Sequence, residues 1–202
     1  MNMPQYSYPG DENALSDVAS GIYGLHHDFK NGDVVLDVGA HVGFFTQWVL
    51  PRITPSGKVI AIEPHPRNFF ELKSSCGNFS NVELVNAAAG LREGTQQLWN
   101  NAHNSGAHSL YKTPGYPYLF EIPVPAINLG LLCKQRGLKP TFVKIDTEGA
   151  EAVILSTLLS AGIICDYAVE VHSEILADQC CALFDEIGIK TILKGSMLYV
   201  KP

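Results

Sequence analysis

Apolar residues along this chain come in short runs that stop at turn residues, and most runs are followed by a stretch in which apolar positions recur every three or four residues. Residues 34–38, VVLDV, follow the turn residues Asn31, Gly32 and Asp33, and FFTQWVL at 44–50 has helical period. The first pattern predicts a strand and the second a helix. The unit recurs as KVIAIEP (58–64) before RNFFELKSSC, as VELVNAA (82–88), as TFVKID (141–146) before a helix from about Ala150, and as DYAVEVH (166–172) before SEILADQCCALFDEIG. Strands that are apolar nearly throughout are buried on both faces, so the alternation predicts a parallel sheet covered by helices on each side.

The last run breaks the pattern. KTILKGSMLYV (190–200) reads as two strands about a Lys194-Gly195-Ser196 turn, which places one antiparallel strand in the sheet. The predicted fold class is therefore α/β and Rossmann-like, with a mostly parallel seven-stranded sheet, helices on both faces and an antiparallel C-terminal hairpin. At 202 residues the chain suits one domain, 1–202. Two segments stand outside the repeat. Residues 1–30 are turn-rich and then helical around LSDVASGIYGLHH, and residues 99–118 are rich in Asn, Gly, Pro, His and Tyr. Loops of that length in a compact domain tend to be functional, so both are expected to form a substrate lid.

Composition narrows the partners. A formal net charge of −6 with only 14 scattered Lys and Arg residues argues against nucleic acid, whose phosphates need clustered cations. Five cysteines without metal-like spacing predict reduced thiols and a cytoplasmic setting. The N-terminus has no secretory pattern, and the longest apolar run, AVILSTLLSAGIIC, is shorter than a membrane span requires, so no membrane partner is expected. A small-molecule partner fits best.

Ligands of an open parallel sheet bind beyond the carboxyl ends of its strands, where the strand order reverses. There the sequence places DVGAHVG, with Asp37, Gly39, Ala40, His41 and Gly43. The glycines permit a tight turn and close approach of a ligand to free N–H groups at the start of a helix. Glu63 ends the second strand about 20 residues further on, where a carboxylate can accept from both ribose hydroxyls of an adenosine cofactor. A pyrophosphate is poorly served by a carboxylate beside the loop, whereas Asp37 suits an ammonium group, and His41 stands where the dinucleotide pattern has its second glycine. Both details favour S-adenosylmethionine over NAD.

Taken in order, DVGAHVGFFT, IEPHPRNFFELK, VNAAAG and VKIDTEGAE resemble the FkbM-type family of S-adenosylmethionine-dependent methyltransferases over residues 32–172. The resemblance implies the class I methyltransferase variant of the fold, with Asp37, Gly39, Ala40 and Gly43 in the cofactor loop and Glu63 on the ribose. It also implies that Asn86 and Ala87 flank the adenine, that Ser109 in SGAHSL contacts the cofactor, and that Asp146 faces the reacting methyl group. From it comes the expectation of O-methylation of a hydroxyl on a small molecule such as a sugar or secondary metabolite. The alternatives are an NAD-dependent oxidoreductase and a non-catalytic S-adenosylmethionine-binding protein.

VKIDTEGAE also carries chemistry of its own. Side chains alternate along a strand, so Lys144 and Asp146 share a face, and a buried lysine requires a carboxylate partner. Glu151 falls in the first turn of the next helix, where its charge meets the positive end of the helix dipole. On the following strand Glu170 and His172 share a face, and if the two strands are neighbours they converge with Asp146. Either His172 or Asp146 could then take a proton from an attacking hydroxyl. A Mg²⁺ or Mn²⁺ ion held by Asp146, Glu170 and His172 is the less favoured alternative, because a histidine at a strand end more often serves as a simple hydrogen-bonding group.

Overall fold

A computed structural model describes residues 11–112 and 115–202 of the chain. Residues 1–10 and 113–114 of the two expected lid segments lie outside this range. The described part begins with α1 (Asp11–Ser20), stopped by Gly21 in the left-handed region, and a 3-10 turn, Ile22–Gly24. Then follow β1 (Val34–Val38), α2 (Phe44–Ile53), β2 (Lys58–Ile62), α3 (Pro66–Cys76) and β3 (Val82–Val85). After these come β4 (Ala88–Ala89), β5 (Gly94–Asn101), β6 (Tyr118–Ile127), α4 (Leu129–Arg136), β7 (Phe142–Ile145), α5 (Glu151–Ser160) and β8 (Asp166–Glu170). The chain ends with α6 (Glu174–Asp185), β9 (Thr191–Lys194) and β10 (Met197–Val200).

The main sheet has the order β3-β2-β1-β7-β8-β10-β9, with every pair parallel except those made by β10. This is the seven-stranded sheet with one reversed strand that the repeat predicts. Alternation along the strands feeds two cores. Leu36 and Val38 of β1 pack with Leu129 of α4, Leu155 of α5 and Phe184 of α6, whereas Val35 packs with Phe45 of α2 and Leu72 of α3. Each such leucine contributes about 1.5–3 kcal/mol by leaving water. Caps fix two of the helices: Asn128 accepts from Leu131 N at the start of α4, and Ser173 from Leu176 N at the start of α6.

A second sheet, β4-β6-β5, departs from the expectation. The run read as one strand at 82–88 is split: Val82–Val85 stay in the main sheet, Asn86 and Ala87 turn, and Ala88–Ala89 pair with the end of β6. The segment read as a loop from residue 99 begins inside β5, which pairs antiparallel with β6 over nearly its whole length. Local propensity hides this hairpin, because β5 carries Gly, Gln and Asn and β6 carries two prolines. Pro123 and Pro125 are tolerated because β4 pairs only with Ala126 and Ile127, leaving β6 with a single neighbour where the prolines lie. Among the described residues no helix is long and apolar enough to cross a membrane, and all five cysteines are free thiols.

Candidate active site

The chain leaves β1 toward β2 and β3 on one side and returns through β7 on the other, so the strand order reverses between β1 and β7. The carboxyl ends of these two strands meet closely. Gly39 has φ 80°, and a Cβ there would stand 1.8 Å from the carbonyl oxygen of Asp146, so glycine is required by contact as well as by torsion. Gly39 N and Ala40 N both donate to Ile62 O at 3.0 Å, tying the loop to the end of β2. His41 follows at φ 53°, an uncommon conformation for a residue with a side chain.

Glu63 locks this geometry. Its carboxylate accepts from His41 N and from His65 N, each at 2.9 Å, and is 3.5 Å from Asn68 Nδ2. Burial pushes its pKa up to about 7, against the pull of these donors and of Lys144. Ser105 Oγ donates to Asp11 Oδ1 at 2.7 Å and lies 2.8 Å from His41 Nε2, so the hydroxyl proton is spent on Asp11 and the imidazole Nε2–H donates to Ser105. Burial depresses the His41 pKa to about 4, leaving its Nδ1 a bare acceptor at neutral pH. His41 Nδ1 and Asn68 Oδ1 are buried without a protein partner.

These groups line a cleft of about 840 Å³, counting space open to solvent. Val38, Phe44, Ile62, Ala88 and Leu98 form an apolar wall. Ala14 and Val18 of α1 close one side, and Ser105, Gly106, His108 and Leu110 of the 102–112 segment another. His108 stacks on His65 with ring centroids 4.0 Å apart, and burial pushes its pKa down to about 3. The result is an apolar slot whose polar end, made of Glu63, Asn68 Oδ1 and His41 Nδ1, is built from acceptors. A ligand with two or three hydroxyl or amino donors at one end satisfies it, and an adenosine moiety is such a ligand.

Of the residues singled out in the sequence, Gly39, Ala40, His41, Glu63, Lys144 and Asp146 line the cleft. The other expected cofactor contacts sit behind its wall. Asp37 is wholly buried, accepts from Thr46 Oγ1 at 2.6 Å and lies 3.4 Å from Lys144 Nζ. Gly43 has φ 98°, and a Cβ there would press within 2.8 Å of Cys76 Sγ, so it permits α2 to approach α3. Asn86 donates to the carbonyls of Glu63 and Pro64, bracing the strand end, and Ala87 is buried beside it. Ser109 Oγ donates to Glu148 O at 2.5 Å and accepts from Tyr111 N, joining the 102–112 segment to the turn after β7.

Beyond the cofactor loop lies a charged end. Lys144 Nζ donates to Gly39 O at 2.7 Å and lies 3.4 Å from Asp37 and 3.6 Å from Asp146. Burial alone would lower the Lys144 pKa, but Asp37 and Asp146 outweigh it and hold it above its ordinary value. β7 and β8 are neighbours, as the convergence of Asp146, Glu170 and His172 requires. His172, however, turns toward other partners: Nδ1 is 3.1 Å from Glu151, and Nε2 is 3.4 Å from Glu148 and 3.7 Å from Asp146. Burial opposes its charge, yet Glu148 and Glu151 push its pKa up to about 11. The two glutamates thus favour the charged imidazolium over the neutral form that a base requires.

Glu151 does more than meet the helix dipole. Its Oε1 also accepts from Thr147 N, Thr147 Oγ1 and Gly149 N, so it holds the turn that carries Glu148 at φ 56°. Asp146, Glu148 and His172 each offer one potential ligand atom, all within 4.8 Å of one another. Here both His172 nitrogens face carboxylates, 3.1 Å from Glu151 and 3.4 Å from Glu148, so a cation at this point would have to displace those contacts.

Sequence reasoning missed Tyr23, whose hydroxyl stands between Asp146 and Glu170 at 3.1 and 2.6 Å, and it missed Asn68 and Ser105 in the cleft. Tyr23 lies between two glycines of a turn, and no local pattern points from it to partners more than a hundred residues away.

The comparisons with known proteins agree with this geometry. Residues 37–187 match the model of the methyltransferase FkbM domain. No curated protein matches the chain in sequence. Among solved structures, the methyltransferase FkbM from Methylobacillus flagellatus superposes with a TM-score of 0.63 at 17% identity, over 88% of this chain and 45% of that one. The chain therefore spans less than half the length of that protein. Fibrillarin from Aeropyrum pernix, solved with S-adenosyl-L-methionine bound, gives 0.53 at 16% identity over 93% of this chain and 76% of that one. Precorrin-6y C5,15-methyltransferase from Geobacter metallireducens gives 0.52 at 12% identity over 94% and 83%. The fold is that of class I methyltransferases, the family match displaces the NAD-dependent reading, and the chain belongs to the FkbM family of S-adenosylmethionine-dependent methyltransferases.

Proposed function

We propose that this chain O-methylates a hydroxyl of a small molecule, such as a sugar or a secondary metabolite, with Asp146 as the base. S-adenosylmethionine, when bound, supplies an electrophilic methyl group carried on a sulfonium sulfur. Glu63, Asn68 Oδ1 and His41 Nδ1 would receive the donors of its adenosine part, and the apolar wall would take the rest. α1 and the 102–112 segment close two sides of the slot, and a ligand that displaces water there would strengthen the electrostatic contacts inside it.

The observation that carries the reading is the placement of Asp146. Its carboxylate ends β7, lines the cleft beside the glycine loop, and is about a quarter exposed, so an acceptor can reach it. Lys144 Nζ and His172 Nε2 stand 3.6 and 3.7 Å from it. As an acceptor oxygen attacks, Asp146 receives its proton, and the same two cations hold the carboxyl in place. General-base assistance of this kind is worth about 10²–10⁴ in rate. The net charge of −6 supports a small neutral acceptor over nucleic acid.

The test is transfer of an isotopically labelled methyl group to a panel of sugars and hydroxylated metabolites. Asp146→Asn is expected to lower turnover by about 10²–10⁴-fold, while thermal stabilisation by S-adenosylmethionine stays near the wild-type value. Equal turnover in the variant would remove Asp146 as base. Cofactor stabilisation without transfer to any acceptor would favour a non-catalytic binding protein.

A further inference from the structure

The chain's N-terminal segment ends in a side chain that the family match, which starts at residue 37, does not include. Tyr23 is 4% exposed, sits edge-on to Phe45 and lies beneath Lys144 Nζ, 5.2 Å from the ring centre. The turn that carries it is anchored from β10, where Tyr199 Oη donates to Ile22 O at 2.9 Å. Below it, His27 is held between Asp33 and Asp166. The hydroxyl of Tyr23 therefore occupies a fixed point, 2.6 Å from Glu170 Oε2 and 3.1 Å from Asp146 Oδ2.

One hydroxyl has one proton, and here it faces two carboxyl oxygens. Were both carboxylates ionised, one of the contacts would set oxygen lone pairs against each other with no hydrogen between them. A second proton is needed, and it must sit on one of the two acids. Asp146 has two cations within ion-pair distance, Lys144 and His172, whereas among the described residues Glu170 has none. The proton belongs on Glu170, and the short 2.6 Å contact suits an acid donor.

We propose that Tyr23 is the positioning residue of the base: protonated Glu170 donates to Tyr23 Oη, and Tyr23 donates to ionised Asp146, so that three side chains from distant parts of the chain act as one proton-sharing unit. The unit also gives the abstracted proton a way out. After Asp146 gains the acceptor's proton, half-buried Glu170 releases its own to solvent. Asp146 then passes its proton to Tyr23 Oη as Tyr23 passes its own to Glu170, which restores ionised Asp146 and protonated Glu170. One proton has left the acceptor and one has reached water. The charged and titratable groups around the unit are Asp17 on α1, His41 after β1, Lys144 on β7, Glu148 after β7, His172 after β8 and Tyr199 on β10. Burial, then the charge of Asp146, raises the Glu170 pKa, in line with the assignment.

This inference rests on the reading of Asp146 as the base, but its first test needs no acceptor. Carbon-13 NMR of the side-chain carboxyls, assigned by substitution, reports the protonation state of each acid directly. Glu170 is expected to be the protonated member of the pair at neutral pH. In Tyr23→Phe protonated Glu170 loses its acceptor, so its titration should move down toward the ordinary carboxyl range. Glu170→Gln, which mimics the neutral acid and keeps a donor toward Tyr23, should fold with wild-type stability at neutral pH and leave Asp146 ionised. Glu170 found ionised at neutral pH in the wild type, or a Glu170 titration that does not move in Tyr23→Phe, would overturn the proposal. Failure of S-adenosylmethionine to stabilise the wild type would count against the functional reading instead. With an acceptor in hand, Tyr23→Phe should lower kcat about tenfold and shift the pH profile, with KM for S-adenosylmethionine unchanged. An effect confined to KM would sink it.

Discussion

At the scale of single residues the cleft is governed by Glu63, whose buried carboxyl is held near pKa 7 against an ordinary 4.5. An acid with a raised folded-state pKa keeps its proton longer folded than unfolded. Its contribution to stability is thus complete below about pH 4.5 and is lost as pH rises through about 7. The full swing is roughly 3 kcal/mol. Glu63→Gln should remove that slope, so urea unfolding at a series of pH values would show the variant gaining on the wild type across this window. A constant difference would mean that the carboxyl does not change charge there. The same variant should lose most of its stabilisation by S-adenosylmethionine, since only one of the amide's two terminal atoms can accept, and both Glu63 oxygens already accept from backbone N–H groups. Glu63, Gly39 and Asp146 were legible in the sequence because each sits at a strand end next to a turn, which is a local pattern. Asp37 and Gly43 carried the same pattern and stand behind the cleft wall, Asp37 on Thr46 and Lys144 and Gly43 against Cys76. Sequence spacing cannot tell a glycine that faces a ligand from one that lets α2 meet α3.

Elements set the second scale, and here the N-terminal helix and the 102–112 segment act together. Ser105 connects them: it donates to Asp11 at the start of α1 and receives from His41 in the cofactor loop, while Asn68 on α3 donates to its carbonyl oxygen. Ser105→Ala would leave Asp11 and His41 without this shared partner, a loss of about 1 kcal/mol. The expected outcome is a dissociation rate for S-adenosylmethionine raised about fivefold, measured by stopped-flow competition, with the fold intact by circular dichroism. An unchanged rate would show that the helix and segment do not hold the ligand in. The expectation of a lid at 1–30 and 99–118 came from composition and loop length. What composition could not give was the β5–β6 hairpin from which the segment hangs. Its Gln, Asn and Pro residues disfavour strands locally, and only pairing along β5 and β6 outweighs that. The parallel strands were readable because burial on both faces makes them apolar throughout.

For the molecule as a whole, the doubly wound sheet gathers at one edge of the cleft charges that are scattered along the chain. Asp17 comes from α1, Asp146 and Glu148 from beyond β7, and Glu170 from β8. Burial and the charge of Asp146 together raise the Asp17 pKa, a sign that these acids feel one another across the fold. Against them stand the Lys144 ammonium, already committed to Asp37 and Gly39 O, and the His172 imidazolium, committed to Glu148 and Glu151. Neither of these two cations is left free to receive an anion, and the chain's overall charge is also negative. The acceptor should therefore carry hydroxyls without a phosphate or carboxylate beside them. Between matched acceptors, a neutral polyol or amino sugar is expected to exceed its phosphorylated or carboxylated counterpart by about tenfold or more in kcat/KM, equivalent to about 1.4 kcal/mol. Competition between such pairs for the labelled methyl group decides the matter. Preference for the anionic member would require a cation to be freed at the cleft, and Lys144 or His172 would have to leave the partners that hold them here.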